Sequence, residues 1–138
     1  MISQGENNPG RKEHDSFGDI EVPAGALWGA QTERARRNFA GIGGGPLPRD
    51  FITAIALIKG AAARANATLG LLPADLARAI QDAVNDIAAG KHADQFPVDV
   101  FQTGSGTSSN MNVNEVIAHL AASALGKPVH ANDHANMC

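Results

Sequence analysis

Residues 102–115 combine side chains and spacings that could bind a small anion. Gly104 and Gly106 allow the backbone to turn sharply and to approach a ligand closely. A predicted helix begins just beyond them, and its first N–H groups are unpaired and carry a partial positive charge. The segment contains no Lys or Arg, so it lacks the Gly-Lys-Ser/Thr of a polyphosphate loop and favours a carboxylate. Around the second glycine lie the hydroxyl groups of Ser105, Thr107, Ser108 and Ser109.

The same segment also has a purely structural interpretation. Ser and Thr residues commonly cap helix N-termini without binding any ligand, and composition alone supports the two interpretations equally. Asn110, Asn112 and Asn114 favour the functional interpretation. Asparagine is a poor helix former, and a buried amide is costly unless it finds a partner.

The elements that position this segment are predicted to be mainly helical. Residues 17–23 alternate briefly between polar and apolar and stop at a proline, which predicts a short strand or hairpin. A first helix is predicted over residues 28–39, and its arginines, at positions 34, 36 and 37, are predicted to form a solvated face rather than a nucleic-acid patch.

Two further helices are marked by apolar residues at helical spacing. One stripe runs from residue 51 to 69, with Asp50 as its predicted N-cap and Gly70 just past its end. A second stripe covers residues 76–87, and a fourth helix is predicted over residues 110–125. The fold class is therefore mainly α, with a small β element near the N-terminus. The first stripe consists of Phe51, Ile55, Ile58, Ala62, Ala65 and Leu69.

Composition is typical of a globular chain of one domain. Its 138 residues carry a formal net charge of −3, which leaves no overall basic field for nucleic acid or an anionic membrane surface. The longest apolar run, residues 51–58, is much shorter than the about 20 residues of a membrane-spanning helix. Residues 1–10 are polar, which predicts a flexible tail and no secretory signal. The single cysteine, Cys138, fits a reducing cytoplasm.

Residues 103–116 resemble the first signature segment of class II fumarases, which belong to the fumarase/aspartase superfamily. They read Thr-Gly-Ser-Gly-Thr-Ser-Ser-Asn-Met-Asn-Val-Asn-Glu-Val. Residues 15–18, 22–24 and 27–32 resemble the fumarase N-terminus, and residues 130–136 resemble its His-Pro-Asn-Asp segment. Related aspartases have Gly-Ala-Gly-Thr where this chain has Gly-Ser-Gly-Thr, so the resemblance favours a fumarase.

This resemblance implies an N-terminal lyase domain over residues 11–138, part of an enzyme that reversibly hydrates fumarate to L-malate in the citric acid cycle. Ser105 and Thr107 would bind the substrate carboxylate, and Gly106 would give it access. Ala131 stands where the family has proline, which frees the backbone of a second anion site outside the catalytic pocket. The residues that match this secondary anion site are His130, Asn132 and Asp133.

The resemblance also implies that the segment is incomplete as an enzyme. Family members continue with a helical bundle that carries a Thr-His pair and with a mobile Gly-Ser-Ser loop. We therefore expect the 138-residue chain to be an inactive fragment, with no catalytic residue of its own. The implied parent is a cytoplasmic homotetramer that needs no cofactor and acts on a small dicarboxylate. Two alternatives remain open: an aspartate ammonia-lyase relative, and a non-catalytic dicarboxylate-binding or assembly domain.

His130 and His134 are four residues apart, and Cys138 follows four residues later. This spacing could place three metal ligands on one helix face. Ala131 occupies the place of the Glu in a His-Glu-x-x-His zinc motif, so no native metal site is predicted. The remaining histidines are isolated in the sequence and are predicted to be surface or structural residues: His14, His92 and His119.

Overall fold

A computed structural model describes residues 10–138, so the tail predicted for residues 1–10 lies, apart from Gly10, outside the described residues. Within residues 10–138 the chain forms two strands, four α-helices and two short helical turns, and the mainly α prediction is confirmed. The elements are β1 (Arg11–Asp15), β2 (Gly18–Val22), α1 (Ala30–Asn38), α2 (Arg49–Thr68), α3 (Ala74–Ala88), a 3₁₀ turn (Ala93–Gln95), α4 (Thr107–Leu125) and a π turn (Ala131–Ala135).

The small β element is an antiparallel hairpin. Strands β1 and β2 pair in a register that sets Arg11 opposite Val22 and Asp15 opposite Gly18. Ile20 and Val22 are buried while Glu21 between them is exposed, which is the alternation expected when one face of a hairpin covers a core. The prediction for residues 17–23 is confirmed, and β1 adds a strand that the sequence analysis did not assign.

The core lies between α3 and its two helical neighbours. Helix α2 packs against α3, α3 packs against α4, and α1 packs against the outer side of α4. Each large aliphatic side chain that is fully buried stabilises the fold by about 1.5–3 kcal/mol relative to an exposed one. The stripe predicted over residues 76–87 is buried as expected, and the fully buried aliphatic residues of α3 and α4 include Ile80, Val84, Val113, Val116 and Ile117.

Helix α2 turns a different face to the core from the one that the sequence predicted. Phe51, Ile58 and Leu69 of the predicted stripe are 54%, 60% and 70% exposed. The helix instead buries a line of mostly small residues, which permits a close approach to α3. A Cβ added at Gly60, for example, would lie 3.2 Å from Val84 Cγ1. The N-cap is Pro48 and not Asp50, and the buried residues are Ile52, Ala56, Lys59, Gly60 and Ala63.

Helix α1 carries a buried carboxylate. The side chain of Glu33 is inaccessible to solvent, and it accepts hydrogen bonds from Arg36 Nη2 at 2.7 Å and from Arg37 Nε at 2.8 Å. Burial alone would raise the pKa of Glu33, but the two arginines and Trp28 Nε1 outweigh it and lower the pKa to about 2. The prediction that the arginines of this helix form a solvated face is wrong in part, because they pair with carboxylates of the chain. Arg36 and Arg37 bind Glu33, and Arg34 pairs with Asp15 at 2.8 Å.

Among residues 10–138, no helix has both the length and the apolar character that a membrane crossing requires.

Candidate carboxylate sites

Gly106 shapes the turn that leads into α4. Its φ of +73° lies in the left-handed region, which favours glycine, and the residue serves as the N-cap of the helix. The Gly106 N–H donates to the carbonyl of Thr103 at 3.0 Å, and its own carbonyl accepts from Asn110 N–H at 3.1 Å. Helix α4 consequently begins at Thr107, three residues earlier than the sequence predicted.

Two hydroxyl groups meet at this turn. Ser105 Oγ lies 2.7 Å from Thr107 Oγ1, and both side chains, like Gly106 between them, are exposed. One hydroxyl of such a pair donates to the other, so the second keeps its proton for an external acceptor. The pair thus offers a hydroxyl donor to an anion on its exposed side, at the positive end of the α4 dipole.

The capping of α4 is carried out by other side chains. Ser109 N–H donates to Gln102 Oε1 at 3.0 Å, while Gln102 Nε2 donates back to Ser109 Oγ at 2.7 Å. Ser108 N–H donates to Thr103 Oγ1 at a longer 3.4 Å. Since Gln102 and Thr103 satisfy these first-turn N–H groups, the hydroxyls of Ser105 and Thr107 are not needed as helix caps.

The three asparagines of α4 find partners inside the protein. Asn112 Nδ2 donates to the carbonyl of Gln95 at 3.0 Å. Asn110 and Asn114 both donate to Asn136 Oδ1, at 3.3 and 3.0 Å. The Nδ2 donors of these amides thus have internal partners, whereas Asn114 Oδ1 is buried without a hydrogen-bond partner among the described residues. The argument that the asparagines favour a ligand stays a prediction.

The residues of the predicted secondary anion site share one cavity of about 520 Å³. His130, Asn132 and Asp133 line one side of it, whereas residues 105–107 do not line it. The structure therefore places the two predicted groups in different locations. The opposite wall is formed by β1, the start of α1 and the middle of α4, through residues that include Arg11, Glu13, Gln31, Glu115 and His119.

The π turn directs the histidines of this segment. His130 N–H donates to His134 Nδ1 at 2.9 Å, and the two rings lie 5.6 Å apart between centroids. His134 Nδ1 is therefore occupied as a hydrogen-bond acceptor. Cys138, the third residue of the spacing, places its Sγ 3.0 Å from Lys59 Nζ. Across residues 10–138, His, Cys, Asp and Glu side chains form no group of three that could bind a metal ion.

The charges around the cavity are mostly internally paired. Arg11 donates to Glu13 Oε1 at 2.6 Å and to the carbonyl of Trp28 at 2.5 Å. Hydrogen bonding to Arg34 lowers the pKa of Asp15. Burial lowers the pKa of His119, and nearby Arg11 lowers it further. An anion in the cavity would therefore depend on N–H donors rather than on a free cation.

Glu115 lines the cavity of about 520 Å³, and the sequence analysis gave it no role. Its carboxylate accepts N–H bonds from Gly29 and Gln31 at 2.9 Å and from Thr32 at 3.1 Å, and it also accepts the Thr32 hydroxyl. These donors form the N-terminus of α1, where a negative charge is favoured. The available signal was that Glu115 is the only charged residue in a largely apolar predicted helix.

Comparisons with known proteins show the family of the chain. Residues 18–138 match the family described as Lyase. The chain belongs to this lyase family. It is 58% identical over 127 residues to the class II fumarate hydratases of Xylella fastidiosa and Mycobacterium tuberculosis, and it covers 27% and 26% of their lengths. Each alignment covers 92% of the present chain.

Solved structures show the same relationship. The class II fumarase of Schistosoma mansoni superposes with a TM-score of 0.87 at 39% identity, over 91% of this chain and 28% of that one. Fumarate lyase:delta crystallin from Brucella melitensis gives 0.86 at 45% identity, over 92% and 30%. The resemblance to class II fumarases is therefore confirmed, as is the fold class, and the chain spans less than a third of each of these relatives.

Proposed function

We propose that the chain is the substrate-carboxylate-binding segment of a fumarate hydratase, the lyase that reversibly hydrates fumarate to L-malate in the citric acid cycle. The observation that carries the proposal is the Ser105–Thr107 hydroxyl pair, 2.7 Å apart at the start of α4 and not needed for capping. The membership of the lyase family supplies the reaction type.

The reaction explains why such donors are useful. Hydration adds a hydroxyl group to one alkene carbon and a proton to its neighbour, and each carbon carries a carboxylate. In the reverse direction a proton leaves the carbon beside one carboxylate, and the electron pair moves into that group. Donors at Ser105, Thr107 and the helix N-terminus stabilise the added negative charge. Gly106 presents no side chain that would obstruct the substrate.

The loop itself cannot transfer the proton. Residues 103–107 carry no group that titrates near neutral pH, so the segment binds and orients the substrate. The exposure of the loop supports a site that is completed by other parts of the enzyme. We place the general base in those parts, within a cytoplasmic homotetramer, and expect the 138-residue chain alone to hydrate fumarate no faster than background.

The cavity beside the π turn is our candidate for the secondary anion site. His130 and Asn132 would contribute side-chain donors there, with Asp133 beside them, and the separation of this cavity from residues 105–107 supports a role outside catalysis. In the complete parent enzyme, His130→Ala should leave kcat within a few-fold of wild type, which is under about 1 kcal/mol of barrier. Ser105→Ala should raise KM, lower kcat, or both. Loss of activity in an intact His130→Ala tetramer would place His130 in the catalytic pocket.

The decisive test is Thr107→Val in the complete parent enzyme. The substitution keeps the shape of the side chain and removes the hydroxyl donor, so kcat should fall by about 10²–10³ while melting is unchanged. Thr68→Val is the matched control and should stay fully active. It removes a hydroxyl that donates to the carbonyl of Arg64, at an exposed position of α2. Full activity of Thr107→Val would mean that the loop only starts the helix and does not bind the substrate carboxylate.

The same assay separates the open alternatives. Hydration is followed by the loss of the ultraviolet absorbance of the fumarate double bond. Ammonia release from aspartate without malate dehydration would identify an aspartate ammonia-lyase relative. Binding of fumarate by calorimetry without turnover of either substrate in the complete protein would identify a non-catalytic dicarboxylate-binding domain.

A further inference from the structure

Lys59 is a buried cation with no carboxylate partner among residues 10–138. The residue is 3% exposed, and its Nζ donates to Asn136 Oδ1 at 2.8 Å and contacts Cys138 Sγ at 3.0 Å. Neither group is a carboxylate, and no Asp or Glu oxygen of the described chain lies within ion-pair distance of it. A buried ammonium is costly to desolvate, so an apolar residue would serve packing better than Lys59 does.

The partner of Lys59 connects it to the start of α4. Asn136 Oδ1 also accepts Asn110 Nδ2 at 3.3 Å and Asn114 Nδ2 at 3.0 Å. Asn110 lies in the first turn of α4, and its backbone N–H donates to the carbonyl of Gly106 at 3.1 Å. One amide oxygen thus joins α2 to the turn that carries the Ser105–Thr107 pair.

A second contact fixes the same segment to α2. Asn66, two turns along the helix from Lys59, donates its Nδ2 to the carbonyl of Met137 at 2.6 Å. Residues 136–138 are consequently bound from α2 on one side and from α4 on the other. Among these contacts the Lys59–Asn136 bond is the charge-assisted one, and such bonds are about twice as strong as neutral ones.

We propose that Lys59 is a positioning residue for the Ser105–Thr107 carboxylate site, an assignment that rests on the proposed function. Its ammonium fixes the side chain of Asn136, and Asn136 fixes Asn110 and so the orientation of the first turn of α4. Lys59 does not touch the substrate. Its role is to keep the two hydroxyls aimed at one point before the substrate arrives.

Steady-state kinetics of the complete parent enzyme test this role. Lys59→Met keeps the length of the side chain and removes the charge. Because misaligned hydroxyls bind both the substrate and its developing charge less well, it should raise KM for fumarate and lower kcat, so that kcat/KM falls about tenfold. The control is Lys91→Met, the same change at a lysine whose side chain is 62% exposed and paired with Asp86. It should change neither constant. A lower melting temperature with kcat and KM both unchanged would show a merely structural role and overturn the proposal.

A double-mutant cycle tests the route through Asn136. Asn136→Ala should reproduce the rise in KM, and the double variant with Lys59→Met should be no worse than the worse single variant, because Lys59 acts on the loop only through Asn136. Effects on KM that multiply would refute the shared route. If Lys59→Met does not fold, Asn136→Ala decides alone, since an unchanged KM in that variant also refutes the proposal.

Hydrogen exchange separates the failure of this proposal from the failure of the proposed function. Backbone amides of residues 103–110 should exchange faster in Lys59→Met than in wild type and should not change in Lys91→Met. A wild-type parent that does not hydrate fumarate would remove the function but leave this measurement valid. Unchanged exchange at residues 103–110 would overturn the positioning role whatever the enzyme's activity.

Discussion

Glu33→Gln is the substitution whose effect on stability follows most directly from the structure. The buried carboxylate accepts hydrogen bonds from Arg36, Arg37 and Trp28, and Arg37 extends on to the carbonyl of Glu21 in β2 at 2.5 Å. Replacing it with a neutral amide leaves both guanidinium groups without an anion. The connection from α1 through Arg37 to β2 should therefore weaken, while the Arg34–Asp15 pair with β1 remains.

The magnitude follows from the pKa. A pKa of about 2 in the folded chain, against an ordinary 4.5, corresponds to about 3 kcal/mol of stability near pH 7. This is an upper figure, because the Arg36 and Arg37 side chains are 42% and 52% exposed and solvent weakens their attraction. For a chain of this length, about 3 kcal/mol lowers the melting temperature by about 10 °C.

The pH dependence has a definite sign. The pKa of Glu33 is lowered on folding, so its contribution is complete above about pH 4.5 and is lost as the pH falls towards about 2. The difference in unfolding free energy between wild type and Glu33→Gln should thus narrow from about 3 kcal/mol at pH 7 to about 2 at pH 3.5 and to under about 0.5 at pH 2.

Urea unfolding of the 138-residue chain at several pH values measures this difference. Asp86→Asn is the matched control, because Asp86 makes only an exposed pair with Lys91, and it should cost well under about 1 kcal/mol. A difference between wild type and Glu33→Gln that is constant from neutral to acid pH would refute the reasoning. It would mean that packing, and not the ionised carboxylate, accounts for the effect.

Four further substitutions test the architecture around the sites by urea unfolding. Glu115→Gln should cost about 1–3 kcal/mol, because the amide turns a donor towards the N–H groups of α1. An added Cβ would meet nothing within 4 Å at Gly106 or at Gly104, so only backbone strain distinguishes the two positions. Gly106→Ala should cost about 1–2 kcal/mol because of its φ of +73°, whereas Gly104→Ala should be nearly neutral. Burial lowers the pKa of His119, so the unfolded chain takes up its proton first and stability should fall below about pH 6.5; His119→Gln should lose this sensitivity.

Features that depend on neighbouring residues were predictable from the sequence. Gly70, Gly90 and Gly126 follow apolar periodic segments, and all three adopt positive φ at the ends of α2, α3 and α4. The glycine turn before α4 was predictable for the same reason. The φ of Gly106 is set by local geometry, and the residues that follow it can form a helix at once.

The orientation of α2 was not predictable from its own sequence. Alanines occur on every side of this helix, so a stripe of larger apolar residues did not identify the buried face. The choice depended on α3, which approaches Gly60 so closely that an added Cβ would lie 3.0 Å from Gln81 Oε1. The exposed Phe51 and Ile58 are the consequence.

Long-range polar contacts explain the remaining differences. Glu115 caps a helix 83 to 86 positions earlier in the chain, and Asn136 reaches Asn110 across 26 positions. No spacing rule links such pairs, because only the packing of α1, α4 and the π turn brings them together. Asparagine side chains that a sequence reader assigns to a ligand can therefore be satisfied by the fold itself.

Helix α4 is the element that both candidate sites share. Its first turn carries Thr107, and its middle lines the cavity through Glu115 and His119. Residues 130–136 lie near both parts of α4. His130 lines the same cavity as the middle of the helix, and Asn136 accepts a hydrogen bond from Asn110 in its first turn. Each site thus combines α4 with one short turn, and the cavity is also lined by β1 and the start of α1. The geometry of the exposed loop therefore depends on contacts made by buried residues that never reach its ligand.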